Sequence, residues 1–178
     1  MSNPISNFTN IPNTEDQNYI FAIYLGGKHA DANIEIHDLV FTTGATLESC
    51  YNFCIQNWFG TKKPHIDGYF QIETNQKDEI LVDNLNSTKN SLFCLNFGGY
   101  MKNQLAEMHE FMILLAESKS EAIIKAKSKL QLQFDMLHLD NCFQIDEVID
   151  ISQKTGVHFD KNFQLEEKIK LVNCYIKL

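Results

Sequence analysis

No apolar run in this chain approaches the 18 residues that a membrane-spanning helix needs. The first residues, MSNPISNFTNIPNTEDQ, lack the apolar segment of a secretory signal. Arginine is absent, and 15 lysines face 23 acidic residues, for a net charge of −8. That balance argues against nucleic acid or a membrane surface as partner, since both require a basic footprint. Lys119, Lys125, Lys127 and Lys129 do cluster, and read as the solvated face of a helix. GxSxG, CxxC and the phosphate-binding P-loop are all missing, so no nucleophile elbow, dithiol motif or nucleotide loop announces itself. The five cysteines are odd in number, which with the missing signal suggests reduced thiols in a cytoplasm. Cys50 and Cys54 stand i, i+4 on an expected helix, as a redox pair or, more simply, as small buried apolar side chains.

What is present is a globular balance, 44% hydrophobic and 21% charged over 178 residues. Residues 1–18 are polar, with few large apolar side chains, and are expected to form a disordered tail. From Tyr19 the run YIFAIYL is β-branched and aromatic, which predicts a buried strand ending at Gly26-Gly27. IEIHDLVFTT predicts a second strand, with a bulge or twist where its alternation changes phase near Asp38. Thr46 is a candidate cap for a helix in which Leu47, Cys50, Tyr51, Cys54 and Trp58 recur at helical spacing. HIDGYFQI predicts a third strand, and DEILVDN another. The pattern then returns. SLFCLNFGGY repeats the first strand and LAEMHEFMILLA the second; the helix recurs at SKSEAIIKAKSKLQLQF, with Ser120 as its candidate cap.

The register makes the repeat specific. Gly26, Gly27, Glu35 and His37 match Gly98, Gly99, Glu107 and His109, each 72 positions on. His65, Asp67, Phe70, Gln71 and Ile72 match His138, Asp140, Phe143, Gln144 and Ile145, each 73 positions on. A tandem duplication follows, of one ββαβ module spanning 19–91 and again 92–178, both within one compact α+β domain. Its sheets are expected to be mixed or antiparallel, with helices packed on one face. DEVIDIS and KIKLVNCYIKL add strand patterns near the end, and QKTGVHFDKN has the chemistry of a loop.

Each copy carries His and carboxylate residues at strand spacing. Glu35 and His37 are i, i+2 and project from one strand face, as do His65 and Asp67. Glu107 with His109, and His138 with Asp140, repeat the arrangement. Such a set can bind a small ligand or a partner. Alternatively, Glu35, His37, His65 and Asp67 could ligate a divalent transition metal in an enzyme, with or without the matching second set. The same residues also suit general acid–base work, or simply satisfy polar spots in a sheet. The residues alone leave open whether catalysis occurs. The expected binding surface is the Gly-Gly turn with the Glu/His strand face, no cofactor is expected unless the metal alternative holds, and a homodimer is one assembly open to the chain. The Gly-Gly pairs lack the third glycine and following helix of a dinucleotide site, and are expected to form tight turns with positive φ.

At YLGGKHADANIEIHDLVF, followed by a helix ending in WFG and then HIDGYF, the chain resembles the bacterial family called domain of unknown function 1543. The resemblance rests on Gly26, Gly27, Lys28, His29, Asn33, Glu35, His37, Asp38, Trp58, Phe59, Gly60, His65 and Asp67. It extends more loosely to about residue 145. Tyr100 and Met101 replace Lys28 and His29 in the second half, and Glu110 replaces Asp38. The resemblance implies a bacterial cytosolic protein and carries no assigned activity. If Lys28 and His29 serve a ligand, only the first copy does so.

Overall fold

The structure is a computed structural model, and it describes residues 18–74, 89–100, 103, 105–134 and 144–178. The expected tail, apart from Asn18, lies outside the described residues. So do the strand expected at DEILVDN, Met101, His138, Asp140 and Cys142.

The first half runs β1 (Asn18–Gly27), β2 (Ile36–Gly44), a 3-10 turn (Glu48–Cys50), α1 (Tyr51–Asn57) and β3 (His65–Thr74). The second runs β4 (Lys89–Gly99), β5 (Met108–Ala116), α2 (Lys119–Phe134) and β6 (Gln144–Asp150). The duplicated ββαβ order therefore stands. The chain ends in α3 (Ile151–Thr155), β7 (Phe159–Asp160), α4 (Leu165–Lys168) and β8 (Ile169–Lys177).

Two four-stranded sheets result, one ordered β2-β1-β3-β8, the other β5-β4-β6 with β7 also on β4. Every described pairing is antiparallel. The end of the chain bears on the expected division at 91/92. That boundary falls inside β4, and β8 returns to the first half, where it pairs with β3 along Ile72↔Ile169 to His65↔Lys177. Adding β8 covers the edge that β3 would otherwise expose. The two modules are thus tied together by the chain itself.

Three apolar clusters fix the layers. Ile20, Ala22, Phe41 and Ile72 of one sheet meet Leu92, Cys94 and Ile113 of the other, with Ile151, Phe159 and Leu165 between them. The alternate residues of β1, Phe21, Ile23 and Leu25, point to the opposite face and pack with Cys50, Cys54 and Trp58. In the second half Phe93, Leu95 and Phe97 pack with Ala122, Ala126 and Leu130 of α2. The period-2 alternation of a strand explains this division. The molecule is a sheet-on-sheet sandwich with one main helix outside each sheet.

Local signals were partly misplaced by the sequence pattern. The cap of α2 is Ser118, two residues before the expected Ser120. Its hydroxyl accepts the Glu121 N–H at 3.2 Å, while the Glu121 carboxylate accepts the Glu117 N–H at 2.7 Å, a reciprocal arrangement close to a capping box. The lysine cluster lies on this helix. Lys125 pairs with Glu121 at 2.8 Å and Lys129 with Glu166 at 3.2 Å. Thr46 does accept the Ser49 N–H, at 3.3 Å. No register shift occurs near Asp38; β1 and β2 pair without interruption. The bulge lies instead in β3 at Asp67, and an equivalent shift recurs between β4 and β6. Among the described residues no helix is long and apolar enough to cross a membrane.

Candidate functional site

β1 lies between β2 and β3, and Gly26 pairs with His37 on one side and His65 on the other. Both histidines are therefore delivered to the same end of one strand. The bulge after Ile66 brings Asp67 to the same point, and Glu35 enters from the residue just before β2. His65 Nε2 stands 3.2 Å from Asp67 Oδ1 and 3.6 Å from Glu35 Oε1; His37 Nε2 stands 3.3 Å from Asp67 Oδ2. The four side chains singled out by their strand spacing thus converge, with Asp67 between two imidazoles.

Gly26 is what allows this. A methyl group there would lie 2.6 Å from both Asp67 Oδ2 and His65 Nε2, and 3.0 Å from His37 Cδ2. The side chains lie directly on the β1 backbone. The expectation of a positive-φ turn is overturned, because Gly26 and Gly27 are extended strand residues. Gly27 is needed for a different close approach, with Trp58 Cζ2 2.9 Å from where its Cβ would be. Trp58 is itself pinned by donating its indole N–H to the Lys62 carbonyl at 2.9 Å.

The second half builds a related but thinner cluster. Gly98 pairs with His109 on β5 and with Gln144 on β6. A Cβ on Gly98 would collide with Asp146 Oδ2 and lie 2.7 Å from Glu107 Oε1. His109 stands 3.8 Å from both Glu107 and Asp146. The pairing thus places Gln144 and Asp146 opposite β4 as His65 and Asp67 stand opposite β1, 79 positions apart. The 73-residue offset, which matched His65 and Asp67 to His138 and Asp140, does not describe this strand. It was drawn by the shared FQI, whereas the structure aligns HID with QID at the bulge.

The surroundings of the two clusters join. Ile20, Ala22, Tyr24 and Gly26 share the inner face of β1. Tyr24 stacks on His37 with ring planes 3° apart and a 5.1 Å centroid separation, and it meets Phe111 of the opposite sheet at 5.6 Å. Burial and the neighbouring Asp67 carboxylate hold the Tyr24 phenol above its usual pKa, so it stays protonated. A cavity of about 330 Å³ lies between the sheets; its wall includes Asp67 from the first cluster, His109 from the second, and Tyr24, Phe70 and Phe111. A neighbouring cavity of about 260 Å³ is lined by His37, Asp38, Asn96, His109 and Glu147. Asn96, the counterpart of Tyr24, has a buried Oδ1 with no hydrogen-bond partner among the described residues. A larger cleft, about 780 Å³, opens between β2 and β6 beside α1, but no histidine among the described residues lines it.

Several expected site residues stand elsewhere. Lys28 acts through its carbonyl, which accepts the Thr61 N–H at 2.9 Å. His29 Nδ1 accepts the Asp31 N–H at 3.2 Å. Neither is tied to the histidine–carboxylate cluster. Asp38 accepts the Leu39 N–H at 2.8 Å and lines the smaller cavity. Tyr24, Asn96, Gln144 and Asp146 carried no signal in sequence, although the shared Ile-Asp at 66–67 and 145–146 marks the bulge. Tyr175 on β8, which covers His65 at a centroid distance of 4.6 Å, is visible only once β8 is seen to return. Cys50 and Cys54 are buried, and burial pushes the Cys54 thiol up to about 12. Both are small buried free thiols within the apolar cluster of the first half.

The family model for Domain of Unknown Function (DUF1543) matches twice, at residues 32–82 and 104–155. The chain belongs to the DUF1543 family. Each match carries one Glu-x-His segment and the helix that follows it, so the match recurs once in each half. The crystal structure of the protein Il1583 from Idiomarina loihiensis superposes with a TM-score of 0.55 at 21% identity, over 90% of this chain and 98% of that one. At that identity the likeness shows a shared fold. No curated protein matches the chain.

Proposed function

We propose that this DUF1543 protein binds a small organic molecule in the cleft between its two sheets. One observation carries the reading: Asp67 and His109, from clusters in opposite halves, line the same aromatic-walled cavity. Its volume, about 330 Å³, is at the lower end of the range for small-molecule sites, and apolar walls with a few convergent polar groups are what such sites present.

The lining selects the ligand's charge. Asp67 and Glu110 border the main cavity, Asp38 and Glu147 the smaller one, and among the described residues no lysine lines either. An anion would meet uncompensated carboxylates, so the favoured ligand is neutral or cationic, with a flat apolar part against Tyr24 and Phe111. A cation over these rings gains roughly 0.5–2 kcal/mol from the ring quadrupole.

Benzylamine and benzoate are a suitable pair of probes, of similar shape and opposite charge. Saturation-transfer NMR with the full chain should detect benzylamine, with shifts at Tyr24 and Phe111, and should detect benzoate weakly or not at all. Leu39 lines both cavities, and Leu39→Trp should block the signal. Equal binding of benzoate, or benzylamine binding that survives Leu39→Trp, would contradict the proposal.

A further inference from the structure

The first cluster has a second property, independent of what fills the cleft. Its nitrogen–oxygen separations of 3.2, 3.3 and 3.6 Å are long for charge-assisted hydrogen bonds, which run about 2.7–2.9 Å. They match the spacing between donors that share one ion. Ligands held at about 2.0–2.2 Å in tetrahedral or octahedral geometry stand roughly 2.8–3.6 Å from each other. Two carboxylates face two imidazoles, so the set offers both oxygen and nitrogen donors to one ion. The side chains are partly withdrawn from water, His65 at 11% exposed and Asp67 at 28%.

We propose that Glu35, His37, His65 and Asp67 bind one divalent transition-metal ion, and that the second cluster binds none. Mixed imidazole and carboxylate donors suit zinc, iron(II), cobalt or manganese, whereas calcium and magnesium prefer oxygen alone. As they stand, no group of three or more histidine, cysteine or carboxylate side chains among the described residues is placed to hold a metal ion. Binding therefore turns the four side chains inward from mutual contact, a movement of their outer atoms with the strands fixed. Gly26 keeps the space beside β1 clear of a methyl group. Stacking on Tyr24 and cover by Tyr175 hold the two imidazole rings in place. Among the described residues the second cluster has one histidine where the first has two: Gln144 occupies the position of His65. Its His109 is 43% exposed and its oxygens stand 3.8 Å away, outside the spacing of donors that share an ion.

Isothermal titration of metal-stripped full-length protein with Zn²⁺, repeated with Co²⁺ to read ligand-field absorbance, tests this. One equivalent should bind. His65→Gln and the more exposed Glu35→Gln should each weaken binding, the former by roughly 100-fold or more, given that even outer partners of ligands are worth 10–100-fold. His109→Gln should leave affinity and stoichiometry unchanged. Leu39→Trp should also leave them unchanged, so failure of the cleft reading and failure of this one are distinguishable. Circular dichroism checks that each variant folds, and Glu35→Gln serves if His65→Gln does not. No binding, two equivalents, or equal losses from His109→Gln and His65→Gln would overturn the proposal.

Discussion

The two halves use the same strands, the same bulge and the same glycine to do unequal things. Gly26 sits between His37 and His65, and Gly98 between His109 and Gln144. Among the described residues this leaves the first cluster with two imidazoles and the second with one. Duplication supplies an architecture twice; the chemistry placed on it diverges where a single strand position changes. The second cluster still faces the shared cleft, through His109.

The halves differ most in packing at the second glycine of each pair. The single tryptophan, Trp58, covers Gly27, and the second half has no tryptophan to do the same. Trp58→Ala should lower stability by about 3–5 kcal/mol, as expected for deletion of a buried aromatic ring, and urea unfolding would measure it. A loss below about 1 kcal/mol would mean that the first half does not depend on this contact.

The clusters can be made alike. Gln144→His puts an imidazole where His65 stands in the first half, and should raise the metal stoichiometry measured by equilibrium dialysis from one ion per chain toward two. Stoichiometry fixed at one would show that exposure and spacing, not ligand count, separate the clusters.

The buried thiols should respond in parallel. Burial raises Cys54 in the first half and Cys94 in the second from 9.0 to about 12. The unfolded chain then ionises before the folded one, so stability is full below pH 9.0 and falls as pH rises toward about 12. Thermal melts across that window should show the decline, and Cys94→Ala should flatten part of it. The smallest effect expected is at the cap of α2. Ser118→Ala should cost about 1 kcal/mol, read as a lower urea midpoint.

Much of this was legible in the sequence because it rests on local periodicity. The ββαβ order, the repeat, and the set of Glu35, His37, His65 and Asp67 all follow from spacing along strands. What was not legible depends on pairing between distant segments. The return of β8 to β3 cannot be read from a terminal apolar run. The equivalence of Gln144 with His65 is set by the register against β4, while the longer match around His138 pointed elsewhere. The role of the glycines was misread for a similar reason. Their freedom from a side chain matters because neighbouring strands bring four side chains onto the backbone, a crowding that only tertiary structure creates.

The most direct test follows the histidine ring nitrogens by long-range ¹H–¹⁵N NMR while Zn²⁺ is added to the full chain. The resonances of His37 and His65 should change together and saturate at one equivalent, with His109 unaffected. Equal response of His109, or no response of His37 and His65, would contradict the claim that only the first copy forms a complete site.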